Sequence, residues 1–408
     1  MLLPNVFTIA AHALLALLSS APATSRTARS DSLAALARPA STTSAAAPVR
    51  AVALRAPQPA RYTLSGDDVA VWNLVGSITL SPGSGSQVAV SVTRAGRDAA
   101  QLTVQHGELD GHDALRVVYP ARDIHFEAER GRRFGNGRVH LTTEINDNGT
   151  FAEDGAHRVR ISSDGGDIDA RADCQLLVPA GKTVTVHLAV GVVRASNVNG
   201  EISADVLAAD VHGDHLQGAL RVRGESGDVE LLDVQSPTDV QTSSGDVTVR
   251  DARGDLLIAT SSGDVVLDSL SATRASVRSS SGDIHAEGLT LDELAVHTSS
   301  GDVHLAGIQV PDVSIASSSG DVDAALDSVI KSATFSARSG NVTVRMPHGV
   351  GFLVDAATGS GDVNLGIPMQ VQQRGKHRLI ATTGSGDARV ETSTASGDVR
   401  IVFAGESE

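Results

Sequence analysis

The sequence predicts an all-β protein: a parallel β-solenoid, or β-helix, with about 18–20 residues per coil and a cap at each end. The first observation is a tetrapeptide, Ser-Gly-Asp-Val or a near variant, that recurs with successive spacings of 18, 18, 19, 19, 19, 20, 21, 25 and 11 residues. Recurrence at a nearly fixed period is typical of repeat architectures. The copies begin at Ser226, Ser244, Ser262, Ser281, Ser300, Ser319, Ser339, Ser360, Ser385 and Ser396.

The second observation is an alternation of apolar residues on both sides of each tetrapeptide. Val247 and Val249 follow one copy, while Leu256 and Ile258 precede the next. Alternation with a period of two indicates strands with one buried face. Each repeat therefore holds two strands and two corners, and the corners need Gly, Ser and Asp.

Stacking each coil on the preceding one pairs every strand with its equivalent in the next coil, which gives a parallel solenoid. An antiparallel meander would not explain why identical residues recur at identical corners. A triangular hexapeptide helix also uses about 18 residues per coil but needs an apolar residue every six. The residue seven after the repeat glycine is often apolar, as at Leu270 and Leu289, so a small third side stays open.

The two ends of the repeat region depart from this regularity. Residues 61–165 predict an irregular N-terminal β region that caps and begins the solenoid, with Arg122–Asn148 as an insertion loop. Residues 166–403 predict the regular solenoid, because imperfect copies start at Gly166 and Gly200. The last spacings, 25 and 11, predict a longer hairpin-like return as the second cap. Caps are expected because open strand edges promote aggregation.

The N-terminal segment predicts export. Residues 1–23 contain an apolar run, Val6–Leu18, followed by Ala21-Pro22-Ala23, which resembles a signal-peptide cleavage site. Residues 24–60 are rich in Ala, Ser, Pro and Arg without periodicity and predict a disordered linker; residues 404–408 form a tail. We expect no transmembrane helix in the mature chain, because the run is shorter than the roughly 20 residues needed.

Composition excludes several classes of function. The formal charge is 33 − 48 = −15, which argues against a nucleic-acid partner. Cys174 is the only cysteine, so no intramolecular disulfide can form, and we expect it in the core. Phe, Tyr and Trp number 7, 2 and 1, and we find no aromatic-rich face for sugar stacking and no catalytic motif. We therefore predict no enzymatic activity and no cofactor.

The repeat residues resemble those of a bacterial β-strand-repeat family of adhesin-like proteins, a domain of unknown function found in cell-envelope proteins. The motifs are Asn73-Leu74-Val75-Gly76-Ser77-Ile78, the run VVRASNVNGEI from Val192 to Ile202, and the Ser-Gly-Asp copies continuing to Val402. The similarity covers about residues 62–403. It implies an exported, noncatalytic protein that is adhesin-like or associated with the envelope.

The Ser-Gly-Asp positions are our candidate structural corners, with Asp and Ser as hydrogen-bonding groups and Gly allowing a positive φ. Stacked aspartates about 5 Å apart repel each other by roughly 1 kcal/mol in bulk water. We expect backbone N–H groups and the serine row to offset this repulsion, because Asn341 replaces Asp once in the series. The residues are Ser244, Gly245, Asp246, Ser262, Gly263, Asp264, Ser281, Gly282, Asp283, Ser300, Gly301, Asp302, Ser319, Gly320 and Asp321.

Two metal hypotheses remain as alternatives to a purely structural role for these residues. Calcium would use Asp246, Asp255 and Asp264, because three Gly-Asp pairs lie nine residues apart there. His285 and His304 occupy equivalent positions in successive coils and should point outward and stack. A solvated pair is more common than a metal site without a third ligand.

The sequence thus predicts an adhesin-like solenoid that acts as a rigid spacer or docking surface in the cell envelope. The expected partner is an envelope protein or polysaccharide, and the expected location is periplasmic, cell-surface or extracellular. One alternative is a carbohydrate-active β-helix enzyme, since such enzymes share the fold. Another is an envelope-stress regulatory protein that binds a protein partner.

Overall fold

The structure is a computed structural model that describes residues 59–126, 140–151, 155–327 and 330–404. The predicted signal peptide and all but the last two residues of the predicted linker lie outside the described residues. Apart from one turn of 3-10 helix at Ala99–Gln101, the regular structure of the described residues is β-strand. None of them forms a helix long and apolar enough to cross a membrane.

The first twelve strands occupy the region before the regular repeats. They are β1 Ala60–Leu64, β2 Asp68–Pro82, β3 Val88–Ala95, β4 Thr103–Leu109, β5 His112–Val118, β6 Asp123–His125, β7 His140–Ile145, β8 His157–Ser162, β9 Ile168–Asp169, β10 Arg171–Val178, β11 Thr183–Ser196 and β12 Glu201–Leu216.

The remaining strands are those of the repeats, one before and one after each Ser-Gly-Asp turn, and two extra strands near the C-terminal end. They are β13 Leu220–Ser226, β14 Val229–Val234, β15 Thr238–Ser244, β16 Val247–Arg250, β17 Leu256–Ser262, β18 Val265–Asp268, β19 Arg274–Ser281, β20 Ile284–Glu287, β21 Glu293–Ser300, β22 Val303–Ile308, β23 Asp312–Ser319, β24 Val322–Leu326, β25 Ser332–Ser339, β26 Val342–Met346, β27 Phe352–Ser360, β28 Val363–Leu365, β29 Gln370–Arg374, β30 Arg378–Thr383, β31 Ala388–Ser396 and β32 Val399–Phe403.

Equivalent strands pair in parallel, one coil apart, as the repeat predicts. The strands before the turns form the pre-turn sheet, in which β15 pairs with β17 and Ser244 lies opposite Ser262. The strands after the turns form the post-turn sheet, in which β16 pairs with β18. The same register continues through β25 and β26. The predicted parallel β-solenoid is therefore confirmed, and the antiparallel meander is excluded for these coils.

The coil has a third side, which the sequence left open. Single parallel bridges join Arg253 to Ser271, Ser271 to Thr290, and Thr290 to Gln309. Leu270 and Leu289 beside these bridges are buried. One bridge per coil closes the gap between the post-turn sheet and the next pre-turn strand, so the third side is narrow rather than a full sheet.

The N-terminal strands continue the solenoid and also end its post-turn sheet. Strands β2, β11 and β12 run across both sheets, and β2 lies between β11 and β10 although it precedes both in sequence. Strand β3 pairs antiparallel with β10, and β1 pairs antiparallel with β3, which ends the post-turn sheet. The described ends of the predicted insertion loop hold β6 and β7, which join β8 and β9 in a separate four-stranded sheet.

The C-terminal coils do not stack in chain order, and that part of the sequence expectation is wrong. Strand β31 inserts between β25 and β27, and β32 inserts between β26 and β28. The coil that comes last in sequence is therefore the second-last in space. Strand β30 pairs antiparallel with β27 and with β29, so the predicted hairpin-like return is present and ends the pre-turn sheet.

The copy at Ser385 is also an exception. It follows β30 and precedes β31, and its Gly386 has a φ of 71°, whereas Gly397 at the next turn has 140°. It connects an antiparallel strand to a parallel one instead of turning a coil. The spacings of 25 and 11 therefore add to 36 residues between Ser360 and Ser396, which hold the post-turn strand β28, the hairpin of β29 and β30, and the pre-turn strand β31.

The interior is a continuous core of small aliphatic residues. Successive coils place equivalent residues side by side, such as Ile258 and Val277 in the pre-turn sheet, and both are fully buried. Phe335 and Phe352 are the largest fully buried side chains, near the C-terminal end. Burial contributes about 25 cal/mol per Å² of apolar surface, and the same columns repeat in every coil. Stacking is thus stabilised by the same interior contacts along the repeat region.

Candidate functional site

The fifteen predicted corner residues lie where the chain passes from the pre-turn to the post-turn sheet. The serines are exposed and pair in register, and the glycines have φ values such as 126° at Gly282. A Cβ at Gly282 would lie 2.1 Å from the carbonyl oxygen of Gly263 in the preceding coil. Only glycine tolerates both the backbone angle and this close approach.

The aspartates of successive turns form one hydrogen-bonded column. Each backbone N–H donates to the Oδ1 atom of the equivalent residue in the neighbouring coil, at 2.8–3.1 Å. Charge-assisted bonds of this kind are stronger than neutral ones. In spatial order the column contains Asp210, Asp228, Asp246, Asp264, Asp283, Asp302, Asp321, Asn341, Asp398 and Asp362.

The donors in this column are backbone amides, together with the side-chain amide of Asn341, whose Nδ2 donates to Asp321 Oδ2 at 3.4 Å. Among the described residues, no corner serine hydroxyl donates to a column carboxylate, which differs from the expectation that the serine row would contribute. Asn341 keeps the acceptor: its Oδ1 receives the N–H of Asp398 at 3.0 Å. Asp246, Asp264, Asp283 and Asp302 form no ion pair with any described residue, so their charges face solvent.

The first member of the column, Asp210, was missed from the sequence. It follows Ala208-Ala209 instead of Ser-Gly, so the tetrapeptide does not mark it. Its Oδ1 nevertheless accepts the N–H of Asp228 at 3.1 Å. Burial raises the pKa of the Asp210 carboxyl above its usual value. The pairing of β12 with β14, which places Val211 opposite Val229, would have identified it.

The three aspartates of the calcium hypothesis do not come together. Asp246 and Asp264 are neighbours in the column, but Asp255 lies beyond the other end of β16. There the Oδ1 of Asp255 accepts the backbone N–H of Arg274 at 3.0 Å. The described part of the chain holds no group of three or more His, Cys, Asp or Glu residues arranged to bind a metal.

A second polar column was missed by the sequence reading although it repeats as regularly. It lies two residues before each corner serine, inside the turn, at Thr242, Thr260, Ser279, Thr298 and Ser317, all buried. The threonine hydroxyls donate to the carbonyl oxygen two residues later, as from Thr242 to Ser244 at 3.0 Å and from Thr298 to Ser300 at 3.2 Å. These bonds add to the one that a carbonyl such as Ser300 already accepts from the N–H of Gly282 in the neighbouring coil, at 3.2 Å.

His285 and His304 stack on the outer surface of the post-turn sheet, as their spacing suggests. Their ring centroids are 5.1 Å apart and the rings are 9° from parallel. The Nδ1 atom of His304 lies 3.6 Å from Asp323, one coil further along. This arrangement is a surface row of a β-sheet and not a convergent set of ligands.

Cys174 is buried in the core of β10, where we expected it. Burial raises the pKa of its thiol to about 12. The thiolate, which is the reactive form, is therefore suppressed at neutral pH.

An aromatic cluster lies on the outer face of β2 and β11, in contrast to the expectation of no aromatic-rich face. Trp72 and His187 are opposite each other in the register of these strands and stack with centroids 3.4 Å apart, 10° from parallel. Phe151 packs edge-on against Trp72 at 5.2 Å. The residues are far apart in sequence, so only the register of β2 against β11 reveals the cluster.

His187 is neutral at physiological pH. Burial lowers its pKa from 6.5 to about 3, because the charged ring would lose its hydration. Its Nδ1 lies 3.4 Å from an oxygen of Asp205, whose own pKa is raised by burial. A neutral imidazole can both donate and accept a hydrogen bond.

A cleft of about 200 Å³ opens beside this cluster. Its other wall is the turn between β4 and β5, where Asp110 and Gly111 both have positive φ, at 51° and 86°. His112, just after the turn, lies 3.1 Å from Asp68 through its Nδ1. The cleft is lined by Ala70, Trp72, Leu109, Asp110, His112, Thr185 and His187.

Comparison with solved structures gives a match to a "putative cell adhesion protein" from Clostridium sporogenes. The alignment covers 85% of this chain and 100% of that chain, with 10% sequence identity and a TM-score of 0.20. A TM-score this low supports no conclusion about this chain. No curated protein sequence matches the chain.

Comparison with family models gives a match over residues 238–402 to the family described as Toastrack DUF4097. These residues span β15 to β32 and include most of the aspartate column. The resemblance to a β-repeat family of unknown function, predicted from the Ser-Gly-Asp copies, is confirmed: residues 238–402 are similar to the Toastrack DUF4097 family.

Proposed function

We propose that this protein is an exported, noncatalytic, adhesin-like solenoid that acts as a rigid spacer and docking surface in the cell envelope. The observation that carries the proposal is the unbroken column of nine aspartates and Asn341, in which nine N–H to Oδ1 bonds of 2.8–3.1 Å join successive coils. Because neighbouring coils are also paired along two sheets, bending the stack would break several bonds at once. A stiff element of this kind is suited to holding a binding surface away from its anchor.

The arrangement of ionisable groups favours binding over catalysis. Catalytic acids and bases are tuned toward the working pH and converge in a cleft. The residue with the most strongly perturbed pKa beside the cleft is His187, and a pKa of about 3 makes it a poor base and leaves it no proton to give at neutral pH. The turn aspartates are spread along the stack and accept backbone hydrogen bonds. Neither set meets the requirements of polysaccharide cleavage.

The test is to locate the full chain and measure its binding to envelopes. We expect the chain in the exported fraction of the producing cells, shortened at its N-terminus, and expect the purified chain to bind sedimented cell envelopes saturably. We expect no soluble product from envelope or extracellular polysaccharides after prolonged incubation. A chain retained in the cytosol, or released sugar products, would contradict the proposal.

A matched pair of variants separates folding from docking. Gly282→Ala places a Cβ against the preceding coil, whereas Gly288→Ala meets no atom closer than 3.7 Å. If docking requires the ordered stack, Gly282→Ala reduces envelope binding and Gly288→Ala retains it. If Gly282→Ala disrupts the stacking of the coils but both variants still bind envelopes equally, the stacked surface is not the surface that docks.

A further inference from the structure

The cleft beside Trp72 has the dimensions and lining of a small-ligand site. Its volume of about 200 Å³ is below the roughly 300–1,000 Å³ typical of pockets for drug-sized molecules, so a single ring is the largest rigid group that fits. One wall is aromatic, formed by Trp72 and His187, and the opposite wall is the β4–β5 turn. Both walls are set by paired strands, since β2 pairs with β5 and with β11.

The polar groups around the cleft are suited to hydroxyl groups. Asp110 offers a carboxylate, Thr185 a hydroxyl and His187 a neutral ring. The indole N–H of Trp72 and the Oδ1 of Asp68 are buried and have no hydrogen-bond partner among the described residues. These two atoms have almost no accessible surface and Asp68 is not part of the lining, so the polar contacts open to a bound molecule are those of Asp110, Thr185 and His187.

The charge around the cleft selects against anions. Asp110 and Asp68 are both carboxylates, and the one basic side chain in the lining, His112, lies 3.1 Å from Asp68. An acidic ligand would meet net repulsion, whereas a neutral ligand rich in hydroxyls would not. The apolar CH face of such a ring can rest against the aromatic wall, where Leu109 and Ala70 add apolar surface.

We propose that this cleft binds one ring of a neutral sugar, such as the terminal residue of a neutral glycan. This inference rests on the proposed docking function and names the chemistry that the N-terminal end of the solenoid recognises. A single ring of about a dozen heavy atoms gives a dissociation constant on the order of 1 mM. Tight attachment would then come from several chains binding one glycan surface together.

The test uses the full chain and free sugars as probes. Trp72 is the only tryptophan, so its emission reports on the cleft alone. Titration with glucose, galactose, mannose and N-acetylglucosamine is followed by fluorescence and by saturation-transfer NMR of the sugar protons. At least one neutral sugar is expected to bind saturably, and glucuronic acid to bind at least about tenfold more weakly.

Two variants and a control connect the binding to the cleft. Asp110→Asn keeps a residue that tolerates the φ of 51°, and Thr185→Val keeps the strand shape; each is expected to weaken binding at least about fivefold. Asp251→Asn is the control, with a φ of 53° at an exposed corner of the solenoid. Absence of binding by both readouts, equal binding of glucuronic acid, or unchanged binding in both cleft variants would overturn the proposal. Envelope docking that persists without sugar binding would leave the proposed function standing and this inference refuted.

Discussion

Replacing one turn glycine tests the close packing of successive coils. In Gly282→Ala the new Cβ would lie 2.1 Å from the carbonyl oxygen and 2.6 Å from the carbonyl carbon of Gly263. The coils must separate locally, which strains the bond from Asp283 N–H to Asp264 at 2.8 Å and the bond from Gly263 N–H to the carbonyl oxygen of Ser281 at 3.2 Å. Two lost hydrogen bonds cost about 2 kcal/mol, and the unfavourable φ of 126° costs about 1–3 kcal/mol. The expected loss is about 3–5 kcal/mol.

The control lies in the same coil and changes the same atoms. Gly288 has a φ of 66°, and a Cβ there would have its nearest neighbour at 3.7 Å. The expected loss in Gly288→Ala is about 1–2 kcal/mol, the cost of placing an L-residue in the left-handed region. Urea unfolding of both variants, followed by circular dichroism, measures the difference in unfolding free energy. The comparison requires that the unfolding free energy of both variants has the same slope against urea concentration. Equal losses in the two variants would refute the reasoning, because a Cβ at Gly282 would clash with the preceding coil, whereas a Cβ at Gly288 would lie at ordinary contact distance from it.

Three further predictions concern the column, the cleft and the end of the chain. Asp283→Asn should leave stability unchanged or raise it at low salt, because the side chain keeps a hydrogen-bond acceptor while the repulsion between neighbouring carboxylates falls. Asp283→Ala should lose about 1 kcal/mol of unfolding free energy, because the acceptor is removed. Equal unfolding midpoints for the two variants would contradict this. Because burial lowers the pKa of His187 to about 3, the unfolded chain binds the extra proton between about pH 3 and 6.5, so unfolding free energy falls as pH is lowered through that window. The loss is at most about 5 kcal/mol, and a titration of stability against pH should be flatter for His187→Phe; identical pH profiles would count against the assignment. Removal of residues 388–408 should cause more aggregation than removal of residues 347–408, because the shorter deletion takes out β31 and leaves the edges of β25 and β27 unpaired inside the stack. Light scattering that ranks the two deletions in the opposite order would contradict the interleaved stacking.

The regular coils could be predicted because their constraints are local. A strand alternates every two residues, and a turn that approaches the preceding coil needs glycine, so both leave marks in the sequence at a fixed period. The Asn341 substitution even indicated that the acceptor oxygen matters in the column, and its Oδ1 does accept the N–H of Asp398. The buried hydroxyls at Thr242 and Thr260 carried the same period and could have been found by the same reasoning.

The remaining features depend on which distant strand edges pair with each other, and no local sequence pattern indicates these pairings. The 36 residues from Ser360 to Ser396 can leave the stack and return on either side of β27, and nothing in their alternation decides between the sides. Trp72 and His187 lie 187 − 72 = 115 positions apart and meet only because β2 fills the space between β10 and β11. Long-range strand pairing of this kind is determined by how all the coils are arranged in the stack.

Disulfide trapping at the turn serines tests the stacked column and its order most directly. Ser339 lies opposite Ser396 in the pre-turn sheet, and Ser396 lies opposite Ser360, so Ser339 and Ser360 are two coils apart. The Ser339→Cys, Ser396→Cys double variant should form a disulfide on mild oxidation, since adjacent strands are about 4.8 Å apart and disulfides bridge Cα atoms about 4.4–6.8 Å apart. The Ser339→Cys, Ser360→Cys variant should not, although its cysteines are closer in sequence. Efficient cross-linking of the second pair and none of the first would contradict the stacking described here.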